Sequence, residues 1–148
     1  MNKLISSAIL AGAALAGALP AQAADTALMM PIAAAMAAND AQSRLGDSVK
    51  FYFADQPTPP VASKITSDKT SQRTNGFGKS ADKSCNWVFL SAMLALQKRA
   101  HEVGADAVVN IVSNYKEKVV ASQTEFECHD GAIMSGVALK GDFVKLAK

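Results

Sequence analysis

Apolar residues dominate the first half of the segment from Asn86 to Val103, where Trp87, Val88, Phe89, Leu90, Ala92, Met93, Leu94 and Leu96 leave almost no polar face. Polar residues gather only at its end, with Gln97, Lys98, Arg99, His101 and Glu102. The pattern predicts a helix, capped by Asp82 or Ser84 and ended by Gly104. A helix apolar nearly all round must be covered on more than one side. A sheet can cover one flank, and the N-terminal segment or a second subunit must cover the other. Trp87, Phe89 and Met93 are therefore the candidate self-association surface.

Strand patterns flank this helix. Val49, Phe51 and Phe53 alternate with Lys50, Tyr52 and Ala54, the period of a half-buried strand. Ala107, Val108, Val109, Ile111 and Val112 run almost without interruption, as in a central strand buried on both faces. From Gln123 to His129, Thr124, Phe126 and Cys128 share one face and Glu125, Glu127 and His129 the other. From Met134 to Leu146, Val137 and Leu139 lie on one phase and Val144 and Leu146 on the opposite one. Gly141 stands at the switch, where a bulge is expected.

The rest of the chain is less patterned. Residues 24–46, rich in Ala and Met, read as a peripheral N-terminal helix with Pro31 in a first turn and Gly46 as its stop. Residues 55–83 are rich in Pro, Thr, Ser and Lys and read as a long surface loop around one short edge strand, with a turn at Asn75 and Gly76. Such a loop is a natural contact surface. The expected fold class is α+β: a three- to four-stranded, largely antiparallel sheet packed by one main helix, plus the peripheral N-terminal helix.

The beginning of the chain changes where this fold is expected to work. Lys3, an uncharged apolar run from Leu4 to Leu19, Pro20, and Ala21-Gln22-Ala23 follow one another as in a secretory signal peptide over residues 1–23. The apolar run is shorter than the roughly 20 residues of a spanning helix. No cysteine lies just after the cleavage site, the first being Cys85, so no lipid or membrane anchor is expected after cleavage. Residues 47–148 then form a single domain outside the cytoplasm, in a bacterial periplasm or secreted.

Without Lys3, fourteen basic side chains stand against thirteen acidic ones, a balance that gives no case for nucleic acid. The chain has two cysteines, Cys85 and Cys128, and in an oxidising compartment an even count favours a disulfide. Cys85 at the helix start can then staple the helix to the strand carrying Cys128.

Other chemistry is weaker. Gly78-Lys79-Ser80 ends like a phosphate loop, but the glycine that motif needs five positions earlier is Arg73. No buried strand is expected before it and no suitable helix at Ser80. A hydrolase would enlist His129, Asp130 and Ser135, which form no recognised nucleophile motif. Glu125, Glu127 and His129 on one strand face could hold a weakly bound divalent ion. His101 and Cys85 show no ligand spacing to join them.

Three stretches carry a resemblance: Gly104-Ala-Asp-Ala-Val-Val-Asn-Ile, then Phe126-Glu-Cys-His, then Gly131-Ala-Ile-Met-Ser-Gly-Val-Ala-Leu-Lys-Gly. Over roughly Leu45 to Leu146 the chain resembles a family of small secreted bacterial proteins, many of which carry the inherited label "excinuclease ATPase subunit". Over about Cys85 to Leu139 it also looks like the RcsF stress-sensor lipoproteins and the heavy-metal-binding domains of the YbjQ type. The RcsF proteins are lipid-anchored and have two disulfides, whereas here there is no lipidation cysteine and one bridge at most. The resemblance implies the fold and the compartment more than a signalling role.

The expectation is a non-enzymatic periplasmic binding or sensor-type domain, without a cofactor, partnered by an envelope protein or by itself. The alternative is a periplasmic divalent-metal-binding protein.

Overall fold

The computed structural model describes Gly17 and residues 25–148, so the expected signal peptide otherwise lies outside the described residues. The first strand, β1 (Thr26–Pro31), occupies the start of the segment expected to be helical. Leu28 and Met30 turn inward opposite Cys128 and Phe126, so antiparallel pairing with a later strand overrides the helix propensity of Ala and Met. Two short helices follow, α1 (Ile32–Ala37) and α2 (Ala41–Leu45). They are separated because Asn39 and Asp40 adopt left-handed conformations, which such side chains tolerate better than most. The peripheral helix is thus corrected to a strand and two short helices.

Strand β2 (Lys50–Phe53) leads through a proline-bearing connection to β3 (Val61–Asn75), a strand of 15 residues in the region read as a surface loop. Thr66, Asp68, Thr70, Gln72 and Thr74 are half-buried while the residues between them are exposed. Backbone hydrogen bonds to the last strand hold β3, with little apolar burial of its own. The long helix α3 (Ala81–Val103) begins earlier than expected, because Ser80 caps it by accepting from the Lys83 amide. Gly104 ends it with φ of 74°. Then come β4 (Ala107–Ser113), a tight turn at Tyr115–Glu117, β5 (Glu125–Asp130) and β6 (Met134–Leu146).

The sheet has six strands rather than three or four, in the order β1-β5-β6-β4-β2 with β3 also paired to β6, and it curls into a half-barrel. It is mixed, since β2 and β4 run parallel while the other pairs are antiparallel. The α+β class stands; the strand count does not, because β1 and β3 lack the apolar patterns that reveal strands.

Helix α3 lies on one face of this sheet, with Val88, Phe89, Met93 and Leu96 in the same core as Phe126, Val137, Leu139 and Phe143. Ile32, Ala35, Ala41 and Leu45 close that core from α1 and α2, and Gln97 donates to the Leu45 carbonyl. The all-round apolar character of α3 is therefore covered within the chain. Phe89 and Met93 are internal, which corrects their place in the self-association surface; only Trp87, 42% exposed, remains available, with Arg44 over its ring at 5.6 Å. Cys85 and Cys128 form a disulfide between the first turns of α3 and β5, and both are fully buried. Among the described residues no helix is long and apolar enough to cross a membrane. The disulfide and this absence are compatible with a secreted or periplasmic protein.

The expected bulge exists on the neighbouring strand. Asn110 and Ile111 of β4 together face Gly141 of β6, and Asn110 takes φ of 51°. A Cβ at Gly141 would lie 2.8 Å from Val108 Cγ1 and 3.2 Å from Ile111 Cγ1. Both side chains are buried and have nowhere to retreat. Gly141→Ala should therefore destabilise the fold by about 1–3 kcal/mol, read as a lower midpoint in urea with an unchanged slope.

Candidate functional site

The face of the sheet turned away from α3 carries a polar cluster beside the buried Ala107, Val112, Ala138 and Val144. Period-two alternation places Glu127 and His129 of β5, Lys140 and Asp142 of β6, and Ser67, Lys69 and Arg73 of β3 on it. The turn after β4 folds over this face and brings Tyr115, Lys116 and Glu117 onto it. Lys116 and Glu117 both have positive φ, a local strain that their tertiary contacts hold.

At one end His129 is held on three sides. Its Nε2 lies 2.5 Å from Glu127 Oε1 and its Nδ1 lies 3.3 Å from Asp25 Oδ1. The Tyr115 ring stacks on the imidazole at 3.4 Å between centroids, and the Tyr115 hydroxyl donates to Asp25 Oδ2 at 3.0 Å. Burial pushes the Tyr115 phenol above its ordinary value of 10.0, and the hydrogen bond to Asp25 and the negative charge of that carboxylate push the same way. A cavity of about 230 Å³ opens beside this group, with Arg73, Met134 and Gly136 in its wall.

The sequence candidates separate in this geometry. Glu127 meets His129, but Glu125 is exposed at the start of β5, roughly 13 Å along the strand from His129 at 3.3 Å per residue. Both imidazole nitrogens already face carboxylates, and among the described residues no three His, Cys, Asp or Glu side chains are grouped to hold a metal ion. His101 is remote from them, bonded to Ser48 Oγ at 3.0 Å.

The hydrolase constellation does not assemble either. Ser135 Oγ lies 2.7 Å from Asp130 Oδ1 and 2.8 Å from Ser84 Oγ, fully buried on the α3 side. His129 turns to the opposite side, toward Glu127 and Asp25. At Gly78-Lys79-Ser80 the strand that precedes, β3, has no buried residue, while a helix does follow, contrary to expectation. The turn nonetheless closes on itself: Lys79 Nζ donates to the Asn75 carbonyl and the Ser80 hydroxyl is spent on the helix cap.

The other end of the polar face was missed from sequence. Ser67, Asn110 and Asp142 meet there, with Ser67 donating to Asp142 Oδ1 at 2.6 Å and Lys64 Nζ at 3.2 Å from the same oxygen. Burial works to raise the Asp142 carboxyl, but the hydrogen bonds from Ser67 and Lys64, the Lys64 charge and Asn110 together bring it below its ordinary value. A lone asparagine inside the apolar run of β4 was the signal available for this end. No protein-family model, no curated protein and no solved structure matches this chain.

Proposed function

We propose that the chain is a non-enzymatic binding or sensor-type domain of the bacterial envelope, exported by the segment 1–23 and acting in the periplasm. The observation that carries this reading is the polar sheet face between His129 and Asp142. Its carboxylates are paired with His129 or with lysines, and among the described residues no nucleophile is presented to the imidazole. Rigid, mutually hydrogen-bonded polar surfaces on a stapled scaffold suit recognition better than proton transfer. The resemblance to RcsF-type stress sensors adds to this reading by analogy of fold alone.

A photo-crosslinking residue placed in living cells at Ser71, on the exposed side of β3, tests it against one at Lys98 on the solvent side of α3. A discrete envelope adduct from Ser71 that Lys98 does not give is the expected result. Silence at both positions, from a protein that mass spectrometry finds exported and cleaved after Ala23, removes the reading.

A further inference from the structure

The end of the polar face occupied by Asp142 holds more than paired charges. A cavity of about 330 Å³ is walled by Ser67, Lys69, Asn110, Asn114, Lys140 and Asp142. A second, of about 360 Å³, lies against it with Thr70, Ser71 and Lys116 in its wall. Lys69, Asn114 and Glu117 belong to both, so the two form one trough with the Lys69–Glu117 ion pair across its middle. These volumes are those of small-molecule sites.

Asn114 lies in the wall of both halves and is only 4% exposed, and its Oδ1, closed to solvent as the side chain stands, has no hydrogen-bond partner. Its Nδ2 faces Glu117 Oε2 at 3.4 Å, an orientation that leaves Oδ1 as the lone acceptor. An orphaned buried acceptor costs about 1–3 kcal/mol unless something donates to it. Three residues with positive φ, Asn110, Lys116 and Glu117, shape the same trough.

The charges specify the rest. Lys69 is paired with Glu117 and Lys64 with Asp142, whereas Lys140 and Lys116 have no ion-pair partner among the described residues. One ammonium without an ion-pair partner thus stands in each half of the trough, that of Lys116 lying 5.5 Å from the centroid of the Tyr115 ring. A concentrated dianion such as a phosphate asks for converging donors. Two separated single charges, beside amide and carboxylate acceptors, match a chain of hydroxyl-rich units with one negative charge on each.

We infer that the trough binds a carboxylated saccharide, in which the Asn114 amide turns to bring Oδ1 to one sugar hydroxyl, other hydroxyls donate to Asp142, and successive uronate groups meet Lys140 and Lys116. The inference rests on the binding reading above and names its ligand class. Titration of the oxidised, full mature protein with trigalacturonate, followed by calorimetry and by the amide resonances of Asn110 and Asn114, tests it.

The expected dissociation constant is about 0.1–1 mM, rising at least tenfold in Lys140→Gln, which replaces an exposed side chain and should melt like the parent. Lys116→Gln, outside the strands, repeats the test should the first variant fold poorly. Equal affinity for neutral maltotriose, tighter binding of glucose 6-phosphate, or no shift with trigalacturonate at about 10 mM overturns the inference. A Ser71 crosslink that persists beside such a failure leaves the binding reading standing and removes only this ligand.

Discussion

Replacing both Cys85 and Cys128 by alanine will lower the stability of the fold by about 4 kcal/mol, the loop-entropy value for cross-linked residues 43 apart. Cys85 lies in the first turns of α3, and Cys128 on β5, which among the described residues pairs with β1 and with the first residues of β6. The bridge thus ties the helix to a strand that meets β6 at two residues, His129 and Asp130. Without it the unfolded chain regains its loop freedom and α3 keeps only its packing contacts. For a domain of this size the melting temperature should fall by roughly 15 °C, measured by circular dichroism. Reduction of the native protein should be slow unless it first unfolds, since neither sulfur is exposed. A double variant that melts within 2–3 degrees of the parent, about 0.5 kcal/mol, would contradict the staple.

The second large effect is expected at Phe89. Its ring stacks on Phe126 with centroids 4.3 Å apart and on Phe53 at 6.1 Å, and it is fully buried between sheet and helix. Phe89→Ala removes the middle of this stack and should cost about 3–5 kcal/mol. Trp87, two residues earlier and 42% exposed, sits on the outer side of the helix, and Trp87→Ala should cost less than about 1 kcal/mol. The contrast separates core from surface along one helix. Denaturant unfolding of both variants, with sedimentation velocity on each, provides the check. A Phe89 variant that keeps its stability but changes its oligomeric state would restore the self-association reading.

Much of this architecture was legible because burial imposes period and composition. The helix over Asn86–Val103, the continuous strand over β4, the alternation along β5 and the disulfide all follow from residues whose apolar or thiol chemistry leaves few alternatives. The two strands that were missed are informative. β1 has Ala and Met where strands usually carry β-branched residues, and only its register against Phe126 and Cys128 makes Leu28 and Met30 an inward face. β3 has Thr66, Thr70 and Thr74 on its half-buried phase, a faint β-propensity signal outweighed by surrounding Lys, Ser and Asp. Its stability comes from a backbone ladder, and every residue type but proline carries the same backbone groups.

The candidate site was legible in half its members. Glu127 and His129 share a strand face by period alone, so their meeting was foreseeable. Asp25 and Tyr115 reach His129 from positions 90 residues apart in the chain, and no local pattern announces that approach. Asn110 and Asn114 depended on the bulge in β4, which was expected in β6. The phase switch was read at Gly141, but the extra residue lies on the strand opposite it.

By itself, then, the sequence determined the core helix, its cap at Gly104, the central apolar strand and the pair of cysteines, because hydrophobic period and thiol count are properties of neighbouring residues. Only the tertiary structure decided which flank covers α3, how many strands share β6, and which polar groups face one another. Those depend on register and on contacts between distant segments, where a shift of one residue turns every side chain to the opposite face.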